Sequence, residues 1–271
     1  LDQAIGVIDS GVGGLTVAHE LMRQLPKEKL LYVGDTLRCP YGPRSEEEVK
    51  KFTWEMVNFL LEKKIKMLVV ACNTATAFTL TELQNHLDIP VLGVINPGAR
   101  AAINATKNMH IGVIGTDGTI RSNAYPQALL NINSKIHIDA LACPLFVPLV
   151  EKGMLHGYTT FQIVSESLEP IRQNNHIDTL ILGCTHYPLI KDTIQQFMGN
   201  HVSIISSSEE TARETSTILE YHELLYKGER IPNHQFFTTG ELEIFEKIAK
   251  RIFNSSESNA QSVAIEHTVI S

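Results

Sequence analysis

A chain of 271 residues that is 43% hydrophobic and 20% charged falls among ordinary globular proteins and exceeds the usual single-domain size. Its formal net charge of −7 removes any general electrostatic reason to bind nucleic acid or an anionic membrane, which leaves small-molecule chemistry as the default. No apolar run approaches a membrane span and no basic segment with an apolar core marks a secretory signal, so a cytoplasmic protein without a membrane partner is expected.

Residues 4–10, AIGVIDS, predict a buried strand with Asp9 and Ser10 at its carboxyl end. Gly11, Gly13 and Gly14 lead into a helix over 15–25 that Pro26 closes. The glycine spacing departs from G-x-G-x-x-G and is a weak nucleotide signal; it suits close backbone approach around Asp9 instead. A second strand over 29–35 enters TLRCPYGPR, where two prolines and a glycine fix a loop carrying Cys39, Tyr41 and Gly42. Ser45, followed by three glutamates, predicts a capped helix running to 63. In MLVVACNTATA, residues 67–77, an apolar run ends on Cys72 and passes at once into Asn73, Thr74 and a helix to 87, with a strand over 90–95 beyond it. Four strand-helix units with short connections are the pattern of a parallel sheet, which binds ligands at the carboxyl ends of its strands. Asp9, the Cys39 loop and Cys72 all fall there.

After Asn96-Pro97-Gly98 and a helix, the pattern starts again. IGVIGT at 111–116 repeats IGVIDS, IHIDALACP at 136–144 repeats LLYVGDTLRCP, TLILGCT at 179–185 repeats MLVVACNT, and 202–207 repeats 91–96. The echoes return after 104 to 112 residues and pair all four cysteines, Cys39 with Cys143 and Cys72 with Cys184. The fold class predicted is α/β: two similar domains with mainly parallel sheets flanked by helices, related by a pseudo-two-fold axis, with the active site in the cleft between them. From 207 onward an amphipathic helix, the variable stretch KGERIPNHQ, a second helical segment and a final strand or tail have no place in the repeat and are expected to return to the first half. The expected domains are 1–95 plus 207–271, and 96–206.

Four cysteines far apart, in a chain large enough to fold without staples, argue against disulfides. Two thiols at equivalent strand ends would instead face a ligand from opposite sides, a geometry suited to inversion at a carbon that loses a proton on one face and regains it on the other. A thiol with an ordinary pKa of about 8.5 serves as acid or base near neutrality, and a position before a helix N-terminus favours the thiolate. Asn73 and Thr74 after the first cysteine, and Thr185 and His186 after the second, can cap helices or donate to a substrate carboxylate; the sequence leaves both uses open. Cys184 and His186 have C-x-H metal spacing, but no second ligand pair accompanies them, so no metal is expected and His186 is read as a hydrogen-bond partner of Cys184. Asp9 serves Cys72 in the same way, and Glu151 is the acidic candidate on the His186 side.

IGVIDSGVGGLTV, YVGDTLRCPYGPRS, VVACNTATA, GVINPGARAA, GTDGTIRSNAY, CPLFVPLVEKG and LGCTHYPL together resemble, in order and spacing, the glutamate racemases of bacterial cell-wall synthesis, in the aspartate/glutamate racemase superfamily. The resemblance covers Ile5 to Ala212. It implies cofactor-independent interconversion of L- and D-glutamate for peptidoglycan, with Cys72 and Cys184 as the acid and base pair and Asp9, Glu151 and His186 assisting proton transfer. It also implies that Asp9, Ser10, Tyr41, Gly42, Asn73, Thr74, Thr116, Thr119, Thr185 and His186 bind the substrate. Leu37 and Thr76 depart from the residues common in that family, and neither touches a proposed catalytic group. A sister racemase acting on aspartate is the nearest rival; a pyridoxal-phosphate enzyme would need a Schiff-base lysine, which the matched motifs lack. A homodimer is the macromolecular association left open.

Overall fold

Runs such as IGVID, LLYVG and MLVV carry no polar alternation, so the strands they form must be covered on both faces, which parallel sheets with flanking helices provide. The computed structural model describes residues 2–254 and 263–270. Its first half contains β1 (Ile5–Asp9), α1 (Leu15–Gln24), β2 (Leu30–Gly34), α2 (Glu46–Glu62), β3 (Met67–Val70), α3 (Asn73–His86), β4 (Val91–Gly93) and α4 (Ile95–Ala105). The second half follows with β5 (His110–Gly115), α5 (Asp117–Arg121), α6 (Ala124–Ile132), β6 (His137–Ala142), α7 (Phe146–Glu151), α8 (Tyr158–Arg172), β7 (Thr179–Gly183), α9 (Lys191–Met198) and β8 (Ser203–Ser206). The chain closes with α10 (Ser207–Tyr221), β9 (His234–Thr238), α11 (Leu242–Asn254) and β10 (Val263–His267).

The strands form two sheets, ordered β10-β9-β2-β1-β3-β4 and β6-β5-β7-β8, and every recorded pair in both is parallel. Four strands of the first sheet, β2-β1-β3-β4, have the same order as the whole of the second. The duplication read from the cysteine motifs is therefore present in the topology, and β9 and β10 extend the first sheet beyond β2. Side-chain alternation is kept as well. Val7, Tyr32 and Val69 face one core of the first sheet, whereas Ile8, Val33, Val70 and Cys72 face the other. In the second sheet Leu180, Leu182 and Cys184 share a core in the equivalent way. The two cysteines thus leave their strands on matching faces.

Local chemistry sets the element ends. Ser45 caps α2 with a full capping box: its Oγ accepts from Glu48 N at 3.2 Å, and the Glu48 carboxylate accepts from Ser45 N at 3.1 Å. The helix expected after Asn96-Pro97-Gly98 instead begins at Ile95 and takes those residues into its first turn. Proline is accommodated there because first-turn N–H groups have no intrahelical partner to lose.

The connection from α10 to β9 is anchored under the first sheet by a buried ion pair. Lys66 Nζ lies 2.7 Å from the Glu28 carboxylate and donates to Leu224 O at 2.8 Å, while Glu28 accepts from Tyr226 N at 2.7 Å. Both side chains are almost wholly enclosed. Removing Lys66 leaves the enclosed Glu28 charge with only the longer 3.9 Å contact of Arg230 as its cationic partner, a larger loss than the net value of the pair. Lys66→Met is expected to lower unfolding free energy by about 3 kcal/mol in urea titrations; a change close to zero would show that the pair anchors nothing.

Candidate active site

The site is built where β1 and β3 of one sheet meet the end of β7 of the other. Asp9 closes β1, and its Oδ2 accepts from Gly11 N and Gly14 N, each at 3.0 Å. Its Oδ1 accepts from Thr185 Oγ1 at 3.1 Å, so the carboxylate joins the two halves. Burial raises the Asp9 pKa, against the opposing charge of His186 and the hydrogen bonds from Gly14, Gly11 and Thr185. A side chain at Gly13 would place its Cβ 2.5 Å from Thr185 Oγ1 and 2.8 Å from His186 N. The glycine cluster therefore serves backbone approach, as its spacing suggested.

Cys72 is itself the N-cap of α3: its Sγ accepts from Ala75 N at 3.4 Å and donates to Ser10 Oγ at 3.5 Å. The helix N-terminus, which favours the thiolate, is outweighed at Cys72. Burial first, and the nearby Asp9 charge second, push the Cys72 pKa up to about 12, beyond what the long contacts from Ser10 and Ala75 offset. Asn73 and Thr74 are not capping groups either. Asn73 Oδ1 accepts from Tyr125 OH at 2.7 Å, and Thr74 Oγ1 lies 2.8 Å from Thr116 Oγ1 and 3.1 Å from Thr119 Oγ1. This leaves Asn73 Nδ2 as a buried donor without a hydrogen-bond partner.

Cys184 follows β7, and here the halves diverge, because a short 3₁₀ turn over Tyr187–Ile190 stands where the first half has α3. Thr185 and His186, freed from capping, turn to Asp9 and Glu151. Cys184 Sγ is 3.8 Å from His186 Nδ1, and His186 Nε2 is 2.6 Å from Glu151 Oε1 at the end of α7. Burial works against a charged imidazole, but hydrogen bonds with Cys184, Cys39 and Glu151 hold the His186 pKa well above its ordinary value. Burial likewise opposes an ionised Glu151, and the bond and charge of His186 overcome it to hold this carboxyl low.

Ser10, Tyr41, Gly42, Cys72, Asn73, Thr74, Thr116, Cys184, Thr185 and His186 line one cavity between the halves, together with Pro40, Val147 and Gly183. Asp9, Glu151 and Thr119 stand a layer behind, attached to the lining through Thr185, His186 and the Thr74–Thr116 pair respectively. Free volume is only about 10 Å³, roughly one water centre. A cavity of about 500 Å³ lined by residues including Thr16, Leu155, Leu189 and Ile252 contains neither thiol, so size alone does not locate the site.

The 36–44 loop reaches the second half: Gly42 O accepts from Gly118 N at 2.9 Å, and a Cβ on Gly42 would meet Thr116 Cβ at 2.5 Å. Its shape is held by Asp35, which accepts from Tyr41 OH, from Arg38 Nε at 2.6 Å and from Thr239 Oγ1 at 2.8 Å. Tyr125 was not foreseen as part of the site. Its only sequence signal is its place in the motif GTDGTIRSNAY. Cys39 is not the mere echo of Cys143 that the repeat suggested: its Sγ donates to Glu151 Oε1 at 3.6 Å, whereas Cys143 is fully enclosed in the second core.

Residues 5–215 match the Asp/Glu/Hydantoin racemase family. The chain belongs to this family. It is 65% identical to the glutamate racemase of Oceanobacillus iheyensis over 271 residues, 100% of this chain and 98% of that one. Among solved structures, the glutamate racemase isoform RacE1 of Bacillus anthracis superimposes with a TM-score of 0.92 at 50% identity, covering 98% of this chain and 97% of that one. The glutamate racemase of Francisella tularensis, solved in complex with D-glutamate, gives 0.89 at 33% identity, covering 99% and 98%. The racemase fold of two parallel sheets flanked by helices is the one found here.

Enclosure of Cys72 has a direct chemical readout. Its alkylation by iodoacetamide, followed peptide by peptide in a mass spectrometer, is expected to keep accelerating beyond about pH 10, because the thiolate is the nucleophile. A rate that levels off near pH ~8.5 would show that the helix terminus, not burial, governs this thiol.

Proposed function

We propose that this protein interconverts L- and D-glutamate by moving a proton at the α-carbon, without a cofactor, and so supplies D-glutamate for peptidoglycan. The observation that carries the reading is that Cys72 and Cys184, from equivalent strand ends of two duplicated halves, line the same enclosed cavity. One sulfur as thiolate takes the α-proton, and the carbanion left behind accepts a proton from the other thiol on the opposite face. Running the same steps backwards exchanges the two roles.

Asp9 lies beside Cys72, and the His186–Glu151 pair exchanges protons with Cys184. Ser10, Asn73, Thr74, Thr116, Thr119 and Thr185, with the Tyr41–Gly42 loop, hold the substrate. The unpartnered Asn73 Nδ2 supports this, since a carboxylate is an acceptor of the kind this buried donor lacks, and the Thr74, Thr116 and Thr119 hydroxyls, bonded to one another in the closed cavity, add further donors beside it. Glutamate cannot fit the closed cavity, so the halves part to admit it and close around it. The domain division 1–95 plus 207–271 and 96–206 suits that motion, and β9 and β10 in the first sheet support it. No helix among the described residues is long and apolar enough to cross a membrane. The reading further takes the enzyme to be cytoplasmic and keeps a homodimer as part of the proposal.

Polarimetry on both enantiomers of glutamate and aspartate tests this. Either glutamate enantiomer is expected to reach the same racemic end point, and Cys72→Ser and Cys184→Ser are each expected to lower turnover by about 10³-fold. Activity on aspartate alone, or near-normal turnover in either variant, would overturn the proposal.

A further inference from the structure

Three chemically different side chains from distant parts of the chain converge behind Cys184. Cys39 comes from the 36–44 loop, Glu151 from the end of α7 and His186 from the turn after β7. Their donor atoms all lie within 4.8 Å of one another. Glu151 Oε1 is 2.6 Å from His186 Nε2 and 3.6 Å from Cys39 Sγ. Gly11 shows how closely they are aimed. A Cβ built there would lie 2.8 Å from Glu151 Oε1, 2.9 Å from Cys39 Sγ and 3.3 Å from His186 Nε2. Only a residue without a side chain leaves that convergence open.

A thiol, an imidazole nitrogen and a carboxylate oxygen are the donor set of zinc sites. Tetrahedral bonds of about 2.0–2.3 Å separate ligand atoms by about 3.3–3.8 Å; here the Glu151–His186 and Glu151–Cys39 separations are 2.6 Å and 3.6 Å, and no pair of the three exceeds 4.8 Å. Small rotations of Glu151 and Cys39 complete the fit. The Glu151 side chain is 25% exposed, which gives an ion a way in from solvent, while His186 is enclosed. The sequence offered His186 only Cys184 as a metal partner; the fold offers two others.

We propose that Cys39, Glu151 and His186 form an inhibitory site for a borderline-soft divalent cation, Zn²⁺ above all, with solvent in the fourth position. On binding, the Cys39 thiol and His186 Nε2 each give their proton to solvent, and the His186–Glu151 hydrogen bond is replaced by bonds from both groups to the ion. His186 Nε2 is then occupied, so the ring is neutral and its one proton sits on Nδ1, facing Cys184. The imidazole no longer passes protons between Cys184 and Glu151. Mg²⁺ and Ca²⁺, which require more and harder oxygen ligands, are excluded. Binding itself does not depend on the racemase reading; only its inhibitory consequence does.

The test uses the full chain carrying Cys72→Ser and Cys184→Ser, which removes both cavity thiols and separates metal binding from racemisation. Equilibrium dialysis is expected to show one bound Zn²⁺ that excess Mg²⁺ does not displace. Co²⁺ in its place is expected to give a near-ultraviolet thiolate charge-transfer band. Adding Cys39→Ala should abolish that band, and either this change or Glu151→Gln should weaken binding by on the order of a hundredfold or more, beyond the loss typical of an outer-shell change. Circular dichroism checks the fold of each variant, and Glu151→Gln decides if Cys39→Ala does not fold. In the otherwise unaltered chain the same Zn²⁺ should inhibit turnover. Absence of bound metal in the double-serine chain, or affinity unchanged by both further substitutions, would overturn the site. Binding through Cys39 in a chain that racemises nothing would support the site and defeat the proposed function instead.

Discussion

Thr185 donates to Asp9 across the boundary between the halves at 3.1 Å, and this contact exists because Gly13 carries no side chain. The first turn of the chain lies so close to Thr185 and His186 that an added methyl would collide with both. From that approach follow the enclosure of Cys72, the position of Asp9 beside it and the narrowness of the cavity. The contact also explains why Asp9 is tied down by two backbone N–H groups. A buried carboxylate needs its lone pairs satisfied, and the glycine turn does so while staying thin enough for the second half to close on it.

Desolvation sets the chemistry inside. A Cys72 pKa near 12 means that ionising this thiol at neutral pH in the closed, resting cavity costs on the order of several kcal/mol. Cys184 has a different neighbourhood, with a cationic His186 backed by Glu151. Burial thus favours the protonated form of Cys72, and Cys184 lies against an imidazole. An amino acid in the cavity adds its own ammonium group, a positive charge that eases thiolate formation on either face. The duplicated scaffold supplies two matching positions, and the second layer behind them is unequal.

Much of the fold was legible because it depends on local rules. Unalternated Ile and Val runs gave the strands of the repeat, Ser45 with Glu48 gave the start of α2, and the recurrence of cysteine motifs revealed a duplication that the two sheet orders repeat. The first turn of α4 was misjudged because proline and glycine at 97 and 98 read as a break, although a first turn tolerates both. At the site, Cys72 and Cys184 could be found from strand-end position together with the repeat, whereas Thr116 was reached only through the family resemblance. What their polar neighbours bond to could not be found, because Thr74 with Thr116, Asn73 with Tyr125 and Thr185 with Asp9 meet only after the halves close. Cys39 is the clearest case. Its repeat partner Cys143 is packing, and nothing near position 39 in the chain announces that Glu151 and His186 will lie against it.

In the proposed reaction the proton leaves one face of the α-carbon and returns from the other by way of two different sulfurs. Each glutamate enantiomer, incubated separately in deuterated water and sampled early by mass spectrometry, tests it most directly. Deuterium is expected at the α-carbon of the newly formed enantiomer and almost none in the remaining starting material, in both directions. Equal early labelling of the two would mean that a single base serves both faces, and would contradict the two-sulfur route.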